Sequence, residues 1–228
     1  MIGGIKSREY SVALWTSSVF IFVSDVDGFL KIQLLEQPLI YFYFFDILKW
    51  LVLPVILMFF VHRNSNVLAR EYGLVADLGI ADLLIILPAP LIALLLVNFL
   101  VTGLAYALLG RPATPFSHQE VLEVLGPLWI VGTLYFSISA GLWESIFYIG
   151  LPWLWFSQAR RMQQSHINLF YFVSSSLFAI AHWENGLYNV IGAFAFQAYA
   201  IWWYFRLKTL WPVIVAHALI DIYYFWPA

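Results

Sequence analysis

Long apolar runs constrain this chain more than any other feature. Residues 39–61, 82–109, 127–156, 187–205 and 209–226 are apolar enough to lie in a bilayer. A helix needs roughly 20 such residues to cross the hydrocarbon core. Residues 166–182 form a shorter candidate, and 10–23 a shorter one still. The pattern predicts an all-α membrane protein of about seven transmembrane helices forming one bundle. Composition agrees, because the chain is 63% hydrophobic and 11% charged, whereas soluble domains run at about 45–50% and about 25%. With no internal repeat and no low-complexity segment, residues 1–228 read as a single multi-pass membrane domain.

Punctuation within the runs refines this layout. Pro88 and Pro90 should kink the third span or mark its true start. Ser117-His-Gln-Glu120 reads as a capping box, opening a helix that enters the membrane near Pro127. Gly186 is placed to end a helix. Lys6, Arg8, Arg63, Arg70, Arg160, Arg161, Arg206 and Lys208 fall in alternate connecting segments, against Lys31 and Arg111 in the others. Positive charge stays on the cytoplasmic side, so the N-terminus is expected in the cytoplasm and the C-terminus outside. Asp25 and Asp27 read as a solvated turn between the first two segments. Lys49 lies within a span, one turn after Asp46, and the two can neutralise each other. Asn98 and Gln197 should bond to neighbouring helices. Lys6 and Arg8 precede a short apolar run, but no small-x-small site follows, so no cleavable signal peptide is expected.

Several function classes drop out. A net charge of −2 without a basic run argues against nucleic acid as a partner. The absence of cysteine removes disulfides, thiolate zinc sites and cysteine catalysis. Nothing in the sequence sets an oligomeric state.

What remains is a set of ionisable residues in the wrong solvent. Glu144 lies in GLWESIFYIG, His182 in SSLFAIAHWENG, and His217 with Asp221 in WPVIVAHALID. Charge in hydrocarbon is costly, so such groups usually face a bundle interior and act there. At ~1.5 Å rise per residue, counted from the expected cytoplasmic ends, Glu144 sits ~18 Å deep, His182 ~24 Å, His217 ~12 Å and Asp221 ~18 Å. These depths agree well enough to converge on a central polar cavity. His217 and Asp221 stand one turn apart on one helix face. They form a self-satisfied pair, or they orient a metal or a polarised oxygen. A carboxylate with two imidazoles and no nucleophile motif suggests an activated water. Glu144, with His182, would remove the proton, either unaided or with a divalent metal such as zinc held by Glu144, His182 and His217. The H-E-x-x-H motif of soluble zinc proteases is absent.

These segments resemble the CPBP family, the CAAX proteases and bacteriocin-processing enzymes, also called the Abi family. Its pattern is EExxxRG on one membrane helix, FxxxH on a second, and HxxxN or HxxxD on a third. Here they read Glu144-Ser-Ile-Phe-Tyr-Ile149-Gly150, Phe178-Ala-Ile-Ala-His182 and His217-Ala-Leu-Ile-Asp221. The resemblance covers residues 121–228 as a catalytic core and leaves 1–120 as variable N-terminal helices. It implies an intramembrane endopeptidase of a prokaryotic plasma membrane, in contact with lipid, whose substrate is a hydrophobic or lipid-linked, CAAX-like peptide. Glu144 and His182 would activate water, and His217 with Asp221 would support the oxyanion. Two positions depart from the pattern: Ser145 replaces the second Glu and Ile149 replaces the Arg. Losing one member of a buried ion pair strands a charge, whereas losing both can be nearly neutral. The same departure also fits a proteolytically inactive scaffold or a bacteriocin immunity protein, binding a peptide or partner subunit through the same cavity.

Overall fold

In lipid every backbone polar group must be satisfied within the chain, and apolar runs of this length do so as helices. The computed structural model describes residues 2–34, 37–74, 79–110, 122–123, 125–157 and 163–226. Among the described residues there is no strand. Helix α1 spans Ile2–Gln33. The short helix Pro38–Tyr41 leads into α2, Phe42–Asn64, whose first half is wound as two π-helical segments. Next come α3, Ile80–Ile86, and α4, Pro88–Leu109. Helix α5, Gly126–Phe156, is followed by α6, Gln164–Ile180, α7, Leu187–Leu207, and α8, Trp211–Phe225.

Four of these helices are long and apolar enough to cross a membrane: α1 over Arg8–Lys31, then α2, α4 and α5. The protein is therefore an integral membrane protein. Helix α8 is apolar but has only 15 residues. Pro88 does begin a new helix, in the first turn where its missing N–H is not needed. The capping box at 117–120, together with Arg111, Arg160 and Arg161, lies outside the described residues.

The first helix departs from expectation. It does not stop at residue 23 but runs unbroken through Ser24-Asp-Val-Asp-Gly28. Asp27 is 3% exposed and occupies no solvated turn. It accepts hydrogen bonds from the Tyr41 hydroxyl at 2.7 and 2.9 Å and from Lys49 Nζ at 2.9 Å. Lys49 thus pairs across helices with Asp27, not along its own helix with Asp46. Both carboxylate oxygens of Asp46 are buried and find no hydrogen-bond partner among the described residues. Lys31, expected in a connecting segment, is buried too, and its ammonium donates to Glu184 at 2.9 Å.

The main core gathers where α1, α5, α6 and α7 meet. Phe20 of α1 stacks on Phe147 of α5 at 4.4 Å, and Tyr148 meets Phe178 of α6 edge to face at 5.3 Å. Each aromatic pair adds about 0.5–1.5 kcal/mol beyond its buried area. By contrast only 11% of the most apolar window of α4 is buried inside the protein, which leaves Ile92, Leu96 and Phe99 on the outer surface.

Candidate active site

Glu144 is placed by a close helix crossing. One turn before it, Gly141 faces α8, and a Cβ there would lie 2.8 Å from the Ile214 carbonyl and 3.0 Å from the Ala218 nitrogen. Glycine lets the two backbones approach within contact distance, as small residues do at membrane helix interfaces. That approach brings Glu144 Oε2 to 3.5 Å from His217 Nε2, and His217 Nε2 stands 3.6 Å from Asp221 Oδ2. Glu144 and His217 are each 8% exposed.

Immediately after Glu144 the helix widens into a π-helical stretch, Ser145–Gly150, with all six residues buried. Such insertions weaken regular backbone bonding and occur frequently at functional sites. Here the Ser145 hydroxyl donates to the Gly141 carbonyl at 2.7 Å, and Ile149 is fully buried in the core. The two departures from the family pattern therefore strand no charge.

His182 is oriented by its own helix end. Helix α6 finishes at Ile180, two residues earlier than the sequence suggested, and a 3-10 turn occupies Trp183–Asn185. Gly186 then adopts φ +92°, a conformation few other residues tolerate, and starts α7. His182 Nδ1 lies 2.8 Å from the Phe178 carbonyl. A carbonyl only accepts, so Nδ1 carries a proton, and in the neutral imidazole the lone pair is then on Nε2. The Phe178 ring lies against His182 at 4.6 Å and reaches His217 at 6.2 Å. Phe196, stacked on Phe178, meets His217 edge to face at 4.8 Å. Behind this face, Ser174 donates to the Tyr148 carbonyl and accepts from Gln197, stitching α5, α6 and α7 together. Gln197 thus bonds across helices as its sequence position implied, and so does Asn98, which donates to the Tyr224 hydroxyl.

Glu144, His182, His217 and Asp221 all line a cavity of about 440 Å³. The sequence brought out these four; Lys31, Lys49, Glu184 and Asn189 also line it and were not singled out as site residues. Glu184 carried a signal, being a carboxylate two residues after His182, but WENG looked like an ordinary helix-ending loop. Glu144, His182 and His217 share the cavity as candidate metal ligands. Among the described residues, though, no three His, Asp or Glu side chains stand as a group that could hold a metal ion. No catalytic step is assigned to an ion.

Residues 126–223 match a family model, Rce1-like, described as Type II CAAX prenyl endopeptidase Rce1-like. The match runs from the start of α5 almost to the end of α8 and contains all four residues that the motifs brought out. Over this stretch the chain is similar to that family, which is one of proteases. No curated protein and no solved structure matches the chain.

Proposed function

We propose that this membrane protein is an intramembrane endopeptidase that hydrolyses a peptide bond in a hydrophobic or lipid-linked, CAAX-like peptide. One observation carries the reading: a buried glutamate and two imidazoles from separate parts of the chain line the same cavity, with Glu144 3.5 Å from His217. The cavity volume falls within the range of small-ligand pockets, about 300–1,000 Å³. A short length of extended peptide fits such a space, while an attached lipid stays against the apolar outer surface.

In the proposed mechanism a water held between Glu144 and Nε2 of His182 attacks the scissile carbonyl carbon. Its proton passes to one of these bases, a contribution worth about 10²–10⁴-fold in rate. As the carbonyl oxygen gains negative charge it needs a donor, and His217 can supply Nε2–H. Asp221 Oδ2 stands 3.6 Å from that nitrogen, and an ionised carboxylate there attracts a proton onto it. It therefore favours the His217 tautomer that carries the proton on Nε2. The proton taken from water then returns to the leaving amine as the C–N bond breaks. Seven crossings with a cytoplasmic N-terminus, in a prokaryotic plasma membrane, complete the proposal, with α6, α7 and α8 crossing beside the four longer spans.

The test compares wild-type protein with Glu144→Ala and His182→Ala, using a farnesylated CAAX peptide in purified form and peptidomics of whole membranes. Both variants should insert and purify at wild-type yield while product peptides disappear. Cleavage at the wild-type rate by Glu144→Ala would overturn the mechanism. Exhaustive chelation of the purified enzyme should leave the rate within about twofold if side chains alone activate the water, and a loss restored by zinc would reassign that step to an ion.

A further inference from the structure

Helix α1 lies outside the matched stretch, yet its C-terminal half grips the segment that carries His182. Lys31 Nζ donates to Glu184 Oε1 at 2.9 Å, and Glu184 belongs to the 3-10 turn that begins one residue after His182. The ammonium and the carboxylate are both nearly inaccessible, at 9% and 1% side-chain exposure. Two further contacts hold the same turn. The Phe29 ring packs on Trp183 at 4.8 Å. The Trp183 indole also sits over Gly28 so closely that a Cβ there would lie 2.7 Å from its Nε1. Lys31 is itself fixed by Asp27, 3.5 Å away and in turn bonded to Lys49 of α2. A chain of buried charges thus runs from α2 through α1 to the turn beside the imidazole.

We propose that Lys31 is a positioning residue for His182, acting through Glu184. The imidazole itself is restrained by Phe178, whose ring packs against it at 4.6 Å and whose carbonyl accepts the bond from Nδ1. That bond sets the tautomer and the ring's tilt against α6. It does not set where the His182 backbone stands, because α6 has ended two residues earlier and His182 has left helical geometry, with φ −113° and ψ 17°. The backbone is held on one side by its own N–H, which donates to the Ala179 carbonyl at 3.1 Å, with Asn189 donating to its carbonyl at 3.4 Å, and on the other by the 3-10 turn Trp183–Asn185, which is anchored on Lys31. Removing the ammonium frees the Glu184 carboxylate, which must then turn toward the cavity or drag its turn after it. The imidazole moves with the turn.

This inference rests on the proposed catalytic role of His182, so its test has one readout that needs no catalysis. The full-length protein is studied in lipid nanodiscs with labelled histidine, and the His182 imidazole signals are assigned by their loss in His182→Gln. Lys31→Met should shift those signals, whereas Lys31→Arg, which keeps the charge, should leave them in place. With the farnesylated CAAX peptide, Lys31→Met should lower kcat by about 10- to 100-fold, the scale expected for a displacement of about 1 Å in a reacting group. KM should change less than about threefold, because a base acts on the transition state and not on ground-state binding. Glu184→Gln should reproduce both effects, and adding it to Lys31→Met should cost nothing more, since coupled partners are non-additive. Should Lys31→Met fail to insert, Glu184→Gln carries the same two measurements. Unmoved His182 signals in the variant overturn the positioning role. Moved signals with no peptide cleavage by the wild type uphold the clamp and overturn the protease reading instead.

Discussion

Two buried polar clusters lie side by side in this protein and are built on opposite plans. Asp27, Lys31, Lys49 and Glu184 form a quartet of two acids and two bases, joined at 2.9–3.5 Å and backed by the Tyr41 hydroxyl. Glu144, His217 and Asp221 stand at 3.5 and 3.6 Å, beside the cavity, and among the described residues no Lys or Arg is bonded to them. The first cluster is closed in charge, each ion meeting an opposite one, although Lys31, Lys49 and Glu184 also border the cavity and Glu184 Oε2 finds no hydrogen-bond partner among the described residues. Its charges cancel, and it joins helices that sequence alone would leave unconnected. The second is open, since contacts near 3.5 Å are too long for good hydrogen bonds and leave donors and lone pairs available to a third party. A buried network whose charges cancel serves architecture, and one that stops short has room for a reactant.

Substitutions separate the two plans. The largest effect is expected at Glu144, where Glu144→Gln should lower peptide cleavage by about 10²–10⁴-fold. Thermal unfolding in detergent should shift by no more than a few degrees, because nothing among the described residues is bonded tightly to that carboxylate. A large drop in unfolding temperature would erase the contrast between the clusters. At the closed cluster the sign reverses. Asp27→Ala leaves Lys49 without its acceptor and should destabilise by about 3–5 kcal/mol, seen as lost yield and early unfolding. Pairing Asp27→Leu with Lys49→Met should restore most of that, since removing both charges leaves neither stranded.

A third substitution acts between the clusters. Gly141→Val forces α5 from α8 and should destabilise by about 1–3 kcal/mol through overpacking. Its effect on cleavage should be larger than the stability loss predicts, because the gap between Glu144 and His217 opens. The smallest effect belongs to the rim. Asn98→Ala removes the bond to Tyr224 at 2.9 Å and should cost about 0.6 kcal/mol, the average for such bonds in membranes. A value several-fold larger would mean that α4 is held to the bundle more firmly than its slight burial implies.

The sequence disclosed the open cluster and hid the closed one, for a physical reason. Glu144, His182, His217 and Asp221 each interrupt an apolar run, so each stands out without any knowledge of partners. Asp27 lay in Ser-Asp-Val-Asp-Gly, a composition typical of turns, and local chemistry could not foresee that Tyr41 and Lys49 would come to it. Lys49 had an acid one turn away in Asp46 and took a distant one instead, because tertiary geometry outranks spacing along one helix. Glu184 was masked in the same way by the turn-like residues around it. The helical class and the positions of most spans were legible from hydropathy, down to the break at Pro88. The π-helical stretch after Glu144 was not, since no residue type in Ser145–Gly150 announces it.

The crossing at Gly141 has a consequence for how such a protein can change. Main-chain atoms of two helices touch there directly, so the separation of acid and imidazole is gauged by backbone and not by any side chain that selection could trim or enlarge. Lipid-facing residues and cavity walls can drift to suit new substrates while that calliper keeps its setting.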